Sequence, residues 1–277
     1  MSATASAHLY ALGAIALWAT LASLGVALAH VPPFLLTGAA LVIGSAVAWP
    51  RFRDWRVPPA TLVLGIYGLF GFHFLLFIAL RHAPAVEANL VNYLWPLFIV
   101  VLAPVLLPAA RWRPVHLLAA LVGFAGAALA IVGGRDVAGG FAWGYVAALG
   151  SALVWASYSL LTRRVADFPT AAIGLFGLVS GLLALACHWW LEPTPTLLPR
   201  DWILIAATGI GPLGAAFFLW DAALKRGDPS TIGILSYLTP LASTLLLVTT
   251  TDRPLTGWVA GAAALIVGAA VVGLRAR

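Results

Sequence analysis

An all-α integral membrane protein of about ten transmembrane helices, arranged as two inverted five-helix repeats, is what three features of this 277-residue chain predict. Hydrophobic residues make up 62% of it and charged residues 9%, with a mean hydropathy of +1.02, too little charge to cover a soluble domain of this size. Uncharged runs over 9–50 and 137–162 suit spanning helices rather than the short alternating strands of a barrel. Finally, Ala79-Leu80-Arg81 followed by Tyr93-Leu94-Trp95-Pro96-Leu97 aligns without a gap on Ala223-Leu224-Lys225 followed by Tyr237-Leu238-Thr239-Pro240-Leu241.

Apolar runs separated by Pro, Gly and charge place spans near 8–29, 33–49, 59–80, 84–107, 114–132, 142–162, 169–190, 202–224, 229–249 and 255–274. Pro33, Pro59, Pro84, Pro114, Pro169 and Pro229 suit first helical turns, where a missing N–H is no loss. No basic n-region precedes the first apolar run, so that segment is expected to be retained rather than cleaved. A cytoplasmic N-terminus puts Arg51, Arg53, Arg56, Arg111, Arg113, Arg163, Arg164, Lys225, Arg226, Arg275 and Arg277 on one side and Arg81, Arg135, Arg200 and Arg253 on the other. That bias predicts both termini in the cytoplasm, and an even number of spans.

Further matches keep the same order in both halves. Leu17-Trp18-Ala19-Thr20 resembles Val154-Trp155-Ala156-Ser157, and Gly126-Ala127-Ala128 resembles Gly268-Ala269-Ala270. The repeats are expected at 1–135 and 136–277. Five spans per repeat is an odd number, so the second copy enters the membrane from the opposite side, an architecture that points to transport with a site near the midplane.

Candidate site residues follow from polarity at membrane depth. Asn89, Asn92, Tyr93 and Pro96 fall on one face of the fourth span with Trp95 at its edge, and amides in hydrocarbon need partners in protein or water. Packing across a helix interface is the competing account of that face. The second copy presents Gly233, Ser236, Tyr237 and Pro240 there, smaller than the asparagines and tryptophan they replace. His73 follows Gly65, Gly68 and Gly71, which recur every three residues and allow close helix approach; its imidazole is a donor, acceptor or protonatable group, or a satisfied packing histidine. Trp155, Tyr158, Ser151, Ser159 and Thr162 share a face of the sixth span, with Trp18 the counterpart of Trp155, and such a wall suits a ligand with an apolar side chain and a polar end. Trp49, Trp55, Trp112, Trp143, Trp189, Trp190, Trp202 and Trp258 fit interface anchors better, whereas Trp18, Trp95, Trp155 and Trp220 lie deeper or beside polar residues.

Glu87 suits the first turn of the fourth helix and Asp221 suits pairing with Lys225 four residues on, so neither reads as a deep proton carrier. Pro96, Pro104, Pro212 and Pro240 are candidate kinks or hinges. The single Cys187 offers no disulfide or metal framework, and there is no DDxxD, HExxH or phosphate-cradling glycine loop. No metal or cofactor and no catalytic residue is expected, and an intramembrane serine hydrolase is left as the weakest alternative. The net charge of +6 records topology rather than a nucleic-acid partner, because the basic residues gather in short loops.

Ten spans in two inverted halves, short loops and the Asn92-Tyr93-Leu94-Trp95-Pro96 run resemble the drug/metabolite transporter superfamily and, within it, the inner-membrane exporters of aromatic amino acids. The resemblance implies a basket-shaped bundle with a central hydrophobic cavity closed on one side, releasing amino acids from the cytoplasm. It also implies His73, Tyr93, Trp95 and Trp155 on the substrate path. Phe72 and Leu76 stand beside His73 where an enteric aromatic exporter has more tyrosine, so other neutral amino acids join the expected range. The expected partners are a small-molecule substrate and membrane lipid, with no nucleic acid, around a monomer in a bacterial inner membrane. Efflux of lipophilic cationic drugs or other small metabolites is the alternative within transport, and a non-transporting scaffold or sensor is the alternative outside it.

Overall fold

The structure is a computed structural model that describes residues 3–133, 140–251 and 257–275, with side chains for all of these except 247–251. Among them every regular element is helical. Nine helices among the described residues are long and apolar enough to cross a membrane: Ala3–Ala27, Pro33–Trp55, Pro59–His82, Ala85–Leu106, Pro114–Val132, Gly144–Leu161, Thr170–Leu191, Pro199–Arg226 and Gly257–Arg275. These are the first to eighth and tenth spans. The ninth is a broken segment, Pro229–Leu235 followed by Leu238–Thr251. The division expected between 135 and 136, and Arg135, Arg253 and Arg277, lie outside the described residues.

Prolines start the second, third, fifth, eighth and ninth spans at the first helical position. Pro84 and Pro169 sit one residue earlier, as caps. The first span begins at Ala3, earlier than position 8. The second continues past position 49 because the chain tightens into a 3-10 stretch over Ala46–Trp55, with Pro50 inside and a kink at Arg51.

Interruptions fall at matching places. The third span contains a π-helical turn at Tyr67–Gly71, and 144 residues later the eighth contains one at Gly211–Ala215. The fourth span breaks after Asn92 and the ninth after Leu235, at Ser236. Pro96 and Pro240 each stand four residues beyond a carbonyl at the break, that of Asn92 or Ser236, to which a regular helix would donate an N–H. A tighter bond replaces it in the ninth span, from Thr239 N to Ser236 O at 3.0 Å. The face inferred for the fourth span as one continuous helix is therefore bent between Asn92 and Trp95.

Small residues set the helix spacing. The second span lies against the seventh at Gly38 and Gly181, and against the eighth at Gly44, Gly209 and Gly214, where an added Cβ would meet backbone of the facing span at 2.5–3.0 Å. Gly65 and Gly68 seat aromatic rings: a Cβ at either would fall 2.2 Å from the ring of Phe176 or Tyr158, respectively. Gly71, third in the same series, has its nearest neighbour, Val154, at 3.6 Å.

Charged groups gather at the two ends of the bundle. At one end Lys225 Nζ donates to Asp221 Oδ2 and the Phe168 carbonyl, both at 2.7 Å, while Thr170 Oγ1 donates to the same carboxylate oxygen at 2.6 Å. At the other end the Glu192 side chain is 1% exposed and gathers four donors from three spans. They are Phe34 N (3.1 Å), Leu35 N (3.2 Å), Arg81 Nη2 (3.0 Å) and His188 Nδ1 (3.0 Å). His30 joins Asp201 nearby at 3.2 Å.

Gly68→Ala forces the Tyr158 ring to move and is expected to cost about 1–3 kcal/mol. Gly71→Ala is expected to be near neutral. Melting of the purified protein in detergent checks the pair, and equal losses would contradict the packing described.

Candidate functional site

A cavity of about 390 Å³ lies in the half of the bundle nearer Glu192. Its walls come from the final turns of the first span, the opening turns of the second and fourth, the middle of the third, eighth and ninth, and Trp155 of the sixth. Gly25 on its wall faces open space, with nothing within 4 Å of an added Cβ.

The deep end is aromatic. Trp18 packs against Trp95 at 6.3 Å between ring centres, Trp155 at 5.9 Å, Phe217 at 6.2 Å and Trp220 at 5.2 Å. Two indole N–H groups in this cluster are tied to protein acceptors. Trp18 Nε1 donates to the Pro212 carbonyl at the wide turn of the eighth span, and Trp220 Nε1 donates to Ser159 Oγ, each at 3.1 Å. Trp18, Trp95, Trp155 and Phe217 line the cavity. Trp220, 1% exposed, lies behind them and seals the floor toward the Lys225 end.

His73 stands on the wall, pinned by a 2.6 Å contact between Nδ1 and the Leu69 carbonyl one turn earlier. A carbonyl only accepts, so Nδ1 carries the proton and Nε2 is left as the acceptor. Asn92 is held from the sixth span. Ser151 Oγ lies 2.8 Å from both Asn92 Oδ1 and the Ala148 carbonyl, and its single proton serves one of them at a time. The amide thus keeps polar atoms for the cavity whichever way it is turned. Asn89 and Tyr93 complete the wall contributed by the fourth span. No Asp, Glu, Lys or Arg side chain lines the cavity among the described residues.

Seven of the expected substrate residues meet at this one site: Trp18, His73, Asn89, Asn92, Tyr93, Trp95 and Trp155. Tyr158 and Tyr237 do not. The Tyr158 ring is seated on Gly68, behind Trp155, and Tyr237, fully buried, turns away onto Gly123 of the fifth span. The hydroxyls of Ser151, Ser159 and Thr162, expected on a ligand-facing wall, are taken up by neighbouring groups instead. Pro96 and Pro240 follow the breaks of the fourth and ninth spans, and Pro212 lies inside the wide turn of the eighth.

Sequence reasoning missed Phe217 and the Glu192 cluster. Phe217 touches Trp155 at 5.5 Å and His73 at 6.3 Å, and it stands 144 residues after His73, so the repeat offset already pointed to it. Glu192 had no such signal, since its partners lie up to 158 residues away along the chain.

An EamA-like transporter family model matches residues 5–132 and 142–274. The chain belongs to that family. This EamA-like chain is similar to a protein of Ancylobacter novellus named aromatic amino acid exporter YddG, 44% identical over 286 residues and 98% of each chain. Proteins of the same name from Escherichia coli and Salmonella typhimurium are 27% and 26% identical over 90% and 98% of each chain. A solved crystal structure of a 43% identical protein superimposes with a TM-score of 0.92, covering 97% of this chain and 96% of that one. Membership places the EamA-like chain in the drug/metabolite transporter superfamily, as a multi-pass membrane protein and a transporter.

Removing the buried Glu192 carboxylate strips four donors of their acceptor, so Glu192→Ala is expected to cost about 3 kcal/mol. Arg81 is 37% exposed and leaves Glu192 three other partners, so Arg81→Ala is expected to cost about 1 kcal/mol. Detergent melting curves rank the two, and a larger loss from Arg81→Ala would overturn the assignment of Glu192 as the hub.

Proposed function

We propose that this chain exports amino acids, aromatic and other largely neutral ones, from the cytoplasm across a bacterial inner membrane, by alternating access through the central cavity. The observation that carries the proposal is the cavity's chemistry: indoles at the deep end, neutral amides, hydroxyls and one imidazole above, and no charged side chain on the wall among the described residues. An apolar side chain rests against Trp18, Trp95 and Trp155. The ammonium meets His73 Nε2, and the carboxylate meets the Asn89 and Asn92 amides and free hydroxyls. Each neutral hydrogen bond nets only about 0.5–1.5 kcal/mol, which favours modest affinity and broad selection among neutral amino acids. The names of the relatives agree with this reading.

Efflux of lipophilic cations asks for a carboxylate in the cavity. Asp221 is spent on Lys225 and Thr170 and stays off the wall, as does Glu87, buried in the first turn of the fourth span. That reading therefore lacks its central group.

Two inverted five-helix halves, 1–135 and 136–277, supply the two access states in this proposal. The family model's two matched stretches and the interruptions that recur 144 residues apart support the division. Pro96, Pro212 and Pro240 act as the hinges. The basic-residue bias favours cytoplasmic termini, which makes the Glu192 end external and the cavity outward-facing. The protein works as a monomer in lipid without a cofactor. Trp189 and Trp190, each 83% exposed, anchor the outer membrane interface.

Exchange into liposomes holding the pure protein tests the proposal, using a panel of labelled amino acids against a labelled lipophilic cation. Amino-acid exchange that Trp155→Ala lowers about tenfold, with membrane insertion intact, is the expected outcome, tenfold corresponding to about 1.4 kcal/mol. Flux of the cation alone would replace the substrate assignment, and full exchange by Trp155→Ala would remove that residue from the path.

A further inference from the structure

We infer that the hydroxyl of Thr37, on the second span, contacts the charged amino-acid end of the substrate and sets affinity for it. The inference rests on the amino-acid reading above and deepens it. Thr37 is 4% exposed and lines the cavity, yet its hydroxyl has no hydrogen-bond partner among the described residues. Other span hydroxyls in this chain bond back to the preceding turn: Thr208 to the Leu204 carbonyl at 2.8 Å, Thr244 to the Pro240 carbonyl at 2.8 Å and Ser157 to the Leu153 carbonyl at 2.6 Å. Thr37 does not. Nor is its oxygen walled in, as the orphaned hydroxyl oxygens of Thr61 and Ser180 are. The next residue explains the orientation. Gly38 is pressed onto the Gly181 carbonyl of the seventh span, with an added Cβ only 2.9 Å away, and this close approach fixes the rotation of the second span with Thr37 turned inward.

Thr37 does not stand alone. Asn89 of the fourth span and Ser243 of the ninth line the same cavity, each with its side chain unpaired among the described residues. Thr37 lies four residues inside the start of the second span, about 6 Å along its axis, whereas Trp18 lies nine residues inside the end of the first, about 13 Å. Thr37 therefore stands nearer the outer end of the cavity than Trp18 by roughly 7 Å, on the scale of one large amino-acid side chain. With no charged side chain on the wall among the described residues, a zwitterion's ammonium and carboxylate depend on dipoles such as these, and a hydroxyl serves either charge.

Concentration-dependent exchange of labelled phenylalanine in liposomes tests the inference with wild type, Thr37→Val and Thr37→Ser. Thr37→Val keeps the shape and removes the hydroxyl. It is expected to raise KM about three- to tenfold with the maximal rate within about twofold, while Thr37→Ser stays near wild type. An unchanged KM for Thr37→Val, beside a wild type that exchanges the amino acid, overturns this inference alone. Equal loss of maximal rate in both variants assigns Thr37 a packing role and also overturns it. A wild type that exchanges no amino acid in the panel overturns the underlying reading instead.

Discussion

Trp18 donates its indole N–H to the Pro212 carbonyl across 3.1 Å, joining the first span to the wide turn of the eighth. Hydrocarbon offers no partner for a polar group, so an interrupted helix at membrane depth survives only where protein or a water-filled cavity satisfies it. Here the interruptions and the cavity solve each other's problem. The wide turn and the two breaks lie beside the cavity, and the bond from Trp18 fixes the indole around which Trp95, Trp155, Phe217 and Trp220 pack. A floor built this way is rigid, apolar and free of charge.

Charge is kept at the ends of the bundle. Glu192 binds two N–H groups at the start of the second span while pairing with Arg81 and His188, so it ties the second, third and seventh spans together. Lys225 does the converse at the opposite end, joining the eighth span to the Phe168 carbonyl ahead of the seventh. Between these clusters lies the neutral cavity. A full charge on its wall would hold an ammonium or carboxylate tightly, whereas neutral dipoles suit the proposed export, in which a zwitterion both enters and leaves.

The broad architecture was legible because it follows from quantities a sequence carries directly: span length, helix-starting prolines and the recurrence of Tyr-Leu-Xaa-Pro. Much of the site was legible for the same reason, since asparagine, histidine and deep tryptophan are conspicuous in an apolar background. Tyr158 and Tyr237 mark where that logic stops. Each is as polar as Tyr93, but Gly68 and Gly123 open slots that take their rings away from the cavity, and nothing local in the sequence says which glycine faces which ring. Glu192 was hidden by distance along the chain, and Thr37 by its ordinariness, because threonine in a span usually bonds its own backbone. Phe217 was hidden only by looking for polarity, as the repeat offset from His73 marks it.

In the proposed export the cavity at the Glu192 end is the outward-facing substrate path. Labelling of Gly25→Cys by a membrane-impermeant maleimide, in a Cys187→Ser background, tests it most directly in intact cells and in inverted vesicles. Labelling from the outer face that is slowed by a transported amino acid is the predicted result. Labelling from the cytoplasmic face alone, or at a rate that no amino acid alters, would contradict it.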